Sequence, residues 1–320
     1  MEYSTSGPQS LQQTLTELEE ERKIVLALKT KSYLLIAGGI LLIAAGFFSG
    51  FVIPGAVAGA ALLIAGFIFL SKSNTRFGYY RHDFKQRVVA MALKEIDESL
   101  QIDYTAGLSE EDFIYSRLFA MEPDRYSSED QIWGTAGKTK FSFSELHAEY
   151  KTVTQTKNGR QEHWHTILKG IVFNADFNKH FNGVTVVRPK DIGAALGAWV
   201  AKAMPIFSTS GRELVQLENP DFEKEFVTYS TDQVEARYIL TPALMERLCA
   251  LNARCSYTIS VSFIGSCVFI AFPLNKDYFE PPLRKSLLDS AFLNEDMEII
   301  RFMYGIIQDL DLNTRIWTKS

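Results

Sequence analysis

The chain has 320 residues, 33 Lys and Arg against 38 Asp and Glu, and 47% hydrophobic side chains, a length that suits two domains of ordinary size. A net charge of −5 and a pI near 5.7 argue against nucleic acid as a partner, because phosphate binding needs a basic surface. An aromatic content of 12% excludes a disordered chain. The mean hydropathy of −0.02 conceals a split: residues 33–71 hold no charged side chain, while the rest has the composition of a soluble protein. A purely soluble enzyme is therefore excluded as the default.

In the N-terminal segment, residues 1–32, Leu11, Leu15, Leu18, Arg22 and Val25 recur at helical spacing, with Glu17, Glu19, Glu20 and Glu21 on other faces. This predicts an amphipathic helix. Its stripe needs a partner, either the cytoplasmic domain or a second copy in a short coiled coil. The apolar block that follows begins too late and is too long for a cleaved signal peptide.

Residues 33–71 are about twice the ~20 needed for one membrane-spanning helix. Pro54-Gly55 near their middle predicts a transmembrane helical hairpin with its turn near 52–55 and arms at 33–51 and 56–71. Lys29 and Lys31 precede the block, Lys72, Arg76, Arg81, Lys85 and Arg87 follow it, and no basic residue lies near the turn. The positive-inside rule then puts both termini of a multi-pass protein in the cytoplasm. The other reading is a hairpin that dips into the bilayer without crossing. Gly46-Phe-Phe-Ser-Gly50 and Gly55-Ala-Val-Ala-Gly59 are small-xxx-small motifs that let backbones approach in lipid. The expectation is that the arms pack on each other within one chain; the sharper alternative is a subunit contact.

The basic cluster Lys72, Arg76, Arg81, Lys85 and Arg87 is a candidate contact with anionic lipid headgroups, at about 1 kcal/mol per side chain near the surface; the plainer reading is the topology signal alone. Val89, Leu93, Ile96 and Leu100 share one helical face, which predicts a juxtamembrane helix within 72–100.

The cytoplasmic domain, residues 101–320, carries a net charge of −6. Ser109-Glu-Glu-Asp112 is a capping box opening a short helix. Phe141-Ser-Phe-Ser, 163–173, 184–187 and 212–217 read as strands, 194–204 as a small-residue helix, Thr241-Pro242 as the start of another helix, and 255–271 as two strands around Ile264-Gly-Ser266. A last helix begins at Asn294, with Ile299, Met303, Ile306 and Leu310 on one side. The elements follow no strict βαβ order, so the fold class is α+β with a mainly antiparallel sheet. Cys249, Cys255 and Cys267 are too few and too irregular for a disulfide framework, which favours a reducing compartment.

One pattern, N-x-D-F-x-K-x-F, occurs twice. Its copies place Asn174, Asp176, Phe177 and Phe181 in correspondence with Asn219, Asp221, Phe222 and Phe226. The Asn is positioned to cap a turn and the two Phe, four apart, to share a face. Each copy therefore predicts a strand followed by a capped helical turn clipped to the core by two aromatics, and a duplicated half-domain is one origin of the pair. Phe173-Asn-Ala-Asp-Phe-Asn-Lys179, Pro220-Asp-Phe-Glu-Lys-Glu-Phe226, Val234-Glu-Ala-Arg-Tyr-Ile-Leu-Thr-Pro-Ala-Leu-Met-Glu-Arg247 and Leu312-Asn-Thr-Arg-Ile-Trp317 resemble the bacterial family catalogued as domain of unknown function 3137. The resemblance implies a membrane hairpin ahead of a cytoplasmic domain, no established activity, and a LemA-like membrane protein as an expected partner.

Candidate chemistry is sparse. His163-Trp-His165 puts two imidazoles on one strand face, but no third ligand stands at a metal-like spacing, so a half-exposed polar face is the better reading. Gly134-Thr-Ala-Gly137-Lys138-Thr139 resembles the end of a phosphate loop, yet Ile132 stands where that loop needs Gly, and a hairpin turn fits instead. The acidic run Glu218, Asp221, Glu223 and Glu225 reads as a solvated face. No nucleophile or zinc-hydrolase motif is present, and no cofactor is expected. The sequence thus favours a non-enzymatic membrane-anchored module that binds a protein partner or itself; the alternative is a membrane-tethered enzyme or lipid-handling domain whose site comes from residues distant in sequence.

Overall fold

The computed structural model describes residues 11–156, 159–190 and 211–312; the helix expected at 194–204 lies outside them. The chain divides into two compact units, Met1–Ala92 with Phe279–Met297, and Leu93–Tyr278 with Glu298–Ser320. The sequence put the boundary at 100/101 in one cut. Residues 279–297 carry no sequence sign of belonging with the helices, because their place is set by hydrogen bonds to residues about 200 positions earlier.

The first unit is built on an antiparallel helix pair. α1 (Leu11–Ser49) runs without a break through both the amphipathic stripe and the first apolar arm. α2 (Val52–Asp83) follows, then a π-helical turn at Phe84–Val89 and α3 (Ala90–Ile96), so the juxtamembrane helix stops short of Leu100. The turn is at Gly50-Phe51, earlier than the expected 52–55: Gly50 takes φ +77°, open to glycine without strain. Pro54 sits inside the first turn of α2, where its missing N–H breaks no intrahelical bond.

The second unit holds one sheet of β1 (Gln101–Asp103), β2 (Arg125–Ala136), β3 (Thr139–Thr156), β4 (Gly159–Asp176), β5 (Thr185–Pro189), β6 (Glu213–Val215), β7 (Phe226–Ser230), β8 (Ser260–Ile264) and β9 (Cys267–Pro273). Its order is β1-β2-β3-β4-β9-β8-β5-β7-β6, with every pairing antiparallel. The described elements are therefore α+β with a mainly antiparallel sheet.

One face carries a core of Leu146, Leu168, Val172, Phe269 and Ala271 under Phe113 of α4 (Glu110–Tyr115). Ser109 caps α4 as its capping box predicted, accepting from the Asp112 amide at 3.0 Å. The opposite face packs on the part of α8 (Ser290–Asp309) from Glu298 onward, where Phe302 meets Phe272 and Tyr304 meets Phe141. The buried side of α8 includes Ile300 rather than the expected Ile299. α5 (Pro220–Glu225), α6 (Gln233–Ile239) and α7 (Pro242–Asn252) fill the remaining connections, and Thr241 caps α7 with Leu244, Leu248 and Leu251 buried. β3 and β4 outrun their neighbours: β2 stops pairing at Arg125↔Glu149 and β9 at Gly170↔Pro273. Their far ends form a two-stranded arm.

Candidate functional site

The seam between α1 and α2 repeats every seven residues. Leu18, Val25, Ser32, Gly39 and Gly46 are buried on α1, and Gly59, Gly66, Ser73 and Tyr80 on α2. A sustained seven-residue repeat wraps two helices in a left-handed supercoil. A Cβ on Gly59 would stand 2.7 Å from the Gly39 carbonyl oxygen, one on Gly46 2.9 Å from the Gly55 Cα, and one on Gly66 3.2 Å from the Ser32 carbonyl. At these levels the contact is backbone on backbone, which only glycine permits.

Of the four glycines singled out from sequence, Gly46, Gly55 and Gly59 lie at this crossing and Gly50 does not. Gly50 forms the turn, with nothing within 4 Å of a Cβ placed there. The four-residue spacing held for Gly55 and Gly59 and failed at Gly50, while the buried glycines outside both motifs, Gly39 and Gly66, lie on the seven-residue repeat of the seam.

Below the glycines the seam becomes polar and then charged. Ser73 Oγ donates to the Val25 carbonyl, and Lys31 and Lys29 stand over Phe69 and Phe77. Arg22 donates to both carboxylate oxygens of Glu19, at 2.8 and 2.7 Å, so this part of the N-terminal stripe finds its partners within its own unit. The segment after β9 lies along the same level. Arg22 Nη1 donates to the Leu283 carbonyl at 2.8 Å, the Leu287 amide to Glu19 Oε2 at 2.9 Å, and the Tyr80 hydroxyl to the Pro282 carbonyl at 3.0 Å.

The Arg22 guanidinium, helped by the Leu287 amide, holds the Glu19 carboxyl near pKa 2 against a usual 4.5. A carboxyl depressed on folding stabilises fully above its unfolded pKa and loses that contribution as pH falls through the folded one. A nitroxide on Leu288→Cys should therefore keep its mobility above about pH 4.5 and become more mobile as pH drops from there towards 2.

The five basic residues proposed to touch lipid are largely committed elsewhere. Arg76 pairs with Glu21, Arg87 with Glu17, and Arg81 and Lys85 share Glu280. Lys85 is 1% exposed, so a headgroup contact is excluded for it on desolvation grounds. Lys72 is exposed and has no ion pair among the described residues.

In the second unit the repeated motif has two different structures. Asn219 caps α5, accepting from the Asp221 and Phe222 amides, and Phe222 packs on Phe226 at 5.0 Å. In the first copy Asn174 and Asp176 still belong to β4. The Ser142 hydroxyl donates to Asn174, while Asp176 accepts from the Asn178 amide. No helical turn forms there. Phe177 and Phe181 nonetheless pack together at 5.3 Å and against Phe263. The aromatic clip is common to both copies, and the capped turn is not.

His165 stacks on Tyr150 at 4.9 Å and approaches Thr152 Oγ1 at 2.8 Å. No third metal-ligating side chain joins His163 and His165 among the described residues. Gly137, at φ +63°, makes the β2–β3 hairpin turn. In the acidic run Asp221 pairs with Lys224 in the open and Glu223 accepts from the Leu217 amide.

A polar cavity of about 350 Å³ lies over β2, β3 and β4. Glu145 accepts from the Tyr278 amide there at 2.7 Å and Lys169 pairs with Asp277 at 3.0 Å. No sequence pattern pointed to Arg188, fully buried on β5 and donating to the Arg117 carbonyl at 3.4 Å; burial lowers its pKa.

All three cysteines are reduced thiols. Burial, reinforced by Glu225, raises Cys249 to about 11, and burial raises Cys255 to about 11. Both should alkylate about 100-fold more slowly than an unhindered thiol at pH 7.5, followed by mass spectrometry with iodoacetamide.

The described chain is a helical hairpin unit joined to an α+β domain, with no catalytic constellation among the sequence candidates. Residues 166–312 match the family described as "Protein of unknown function (DUF3137)". This bears out the resemblance read from the 173–179, 220–226 and 234–247 motifs; the match begins within β4 and does not include the hairpin. No curated protein matches the chain. Among solved structures, the mycobacterial trehalose monomycolate transport factor A, TtfA, aligns with 10% identity and a TM-score of 0.36 over 73% of this chain and 96% of that one, a likeness too distant to assign fold or activity.

Proposed function

We propose that the protein is a membrane-anchored interaction module, its hairpin embedded in the bacterial cytoplasmic membrane with both termini cytoplasmic. The observation that carries this reading is the outer surface of the hairpin. Leu34, Leu41, Phe47, Phe48, Ile53, Val57, Ile64 and Ile68 are each more than 60% exposed, a display of apolar side chains that water does not tolerate at this extent. α1 and α2 each contain a stretch long and apolar enough to cross a bilayer. Basic residues gather only at the ends away from the turn, as the positive-inside rule requires. With the glycine seam closed within one chain, assembly with a protein partner or a second copy falls to other surfaces. A LemA-like membrane protein is one such partner.

In a cysteine-free background, Ser49→Cys at the turn should react with a membrane-impermeant maleimide added outside intact spheroplasts, whereas Lys72→Cys should react only after lysis. Labelling of neither site in intact cells would overturn the crossing topology. Gentle-detergent purification from native membranes should recover the protein with a stoichiometric partner or as an oligomer. Recovery of the monomer alone would overturn the interaction reading.

A further inference from the structure

The strand register assembles a row that no motif announces. Gln101, Trp133, Ser142 and Asn174 stand opposite one another on β1, β2, β3 and β4, so their side chains point to one side of the sheet. Two residues along, Thr135 faces Lys140 and Asp176 faces Cys267 on the same side. These rows floor an open groove of about 640 Å³, within the size range of small-molecule sites. At ~4.8 Å between strands, the row from Gln101 to Asn174 is about 14 Å long, room for two linked rings.

The chemistry of the floor narrows the ligand. Trp133 is 37% exposed and its indole N–H has no hydrogen-bond partner among the described residues. The Gln101 carboxamide and the Lys140 ammonium likewise have none there. Ser142 donates to the Asn174 side-chain oxygen Oδ1, which fixes that carboxamide and leaves its N–H donors available. Lys140 and Asp176 balance in charge, so the groove favours neither an anion nor a cation. Primary amides and a carboxylate offer donors and acceptors matched to hydroxyl groups, and an indole face stacks on the C–H face of a saturated ring.

We propose that this groove binds a neutral carbohydrate, with Trp133 as the stacking platform and Gln101, Asn174 and Asp176 holding hydroxyl groups. The site is independent of the membrane-anchor reading, since every residue in it belongs to the second unit. The test uses the full chain in a polyoxyethylene detergent, because a maltoside headgroup would itself compete. Glucose, N-acetylglucosamine and maltose are titrated by calorimetry, and ligand contact is read by saturation-transfer NMR.

At least one sugar should bind saturably in the millimolar range with its ring C–H protons saturated. Trp133→Ala and Gln101→Ala should each weaken binding about tenfold with unchanged thermal melting, while Trp164→Ala on the β3–β4 arm should bind as the unaltered protein does. Absence of saturable binding by all three sugars would overturn the proposal. So would undiminished binding by Trp133→Ala, or tighter binding of adenosine monophosphate than of any sugar.

Discussion

Alanine at Gly59 should loosen the hairpin by about 2 kcal/mol, an overpacking cost, whereas alanine at Gly78 should tighten it slightly. At Gly59 the new Cβ would meet the Gly39 carbonyl at 2.7 Å and crowd the Ile43 side chain. The backbone oxygen cannot yield, so α1 and α2 must separate, which costs about 1–3 kcal/mol. A methyl group at Gly78 would have nothing within 4 Å, so alanine there adds only its helix preference of about 0.8–1 kcal/mol. Loss of helical circular dichroism on titration with SDS reads both effects with opposite sign. Equal behaviour of the two variants would show that the seam does not hold the helices together.

Arg22→Ala should cost more, about 3–5 kcal/mol, because it leaves the Glu19 carboxylate buried without its counter-ion. Glu19 is 4% and Arg22 7% exposed, and the pair also anchors the backbone of Leu283 and Leu287. Replacing both residues by leucine should be far milder, since an apolar pair of similar size needs no charge compensation. Hydrogen–deuterium exchange at the Leu287 amide distinguishes the two variants. It should lose protection in Arg22→Ala, and an amide equally protected in the single variant would mean that the ion pair does not secure this segment.

Much of the architecture was legible because it rests on local signals. An absence of charge marked the apolar arms, and Ser109 and Thr241 announced helix starts through capping chemistry that operates within four residues. The alternation of Phe141-Ser-Phe-Ser marked part of β3, and the strand-like run at 163–173 marked much of β4. What escaped was non-local. Arg22 reads as one member of a helical stripe, and nothing nearby says that its guanidinium meets a carbonyl 261 residues later. Glu280 is one acid among many until Arg81 and Lys85 close on it. The row from Gln101 to Asn174 exists only through the register of four strands. Even the repeated motif yielded half its content: paired Phe found a core in both copies, but Asn219 could cap because Pro220 starts a helix after it, whereas Asn174 is held in the ladder between β3 and β9.

The order of side-chain size along the helix seam has a mechanical consequence. Glycine sits nearest the turn, serine below it, and Val25, Leu18 and Tyr80 at the base. The backbones touch at one end and are held apart by bulk at the other, which makes the pair a lever with its fulcrum at the glycines. From Gly46 to Leu18 the arm is about 42 Å at 1.5 Å per residue. A tilt of only one degree at the fulcrum therefore displaces the base by about 0.7 Å, enough to break a hydrogen bond at the level of Arg22.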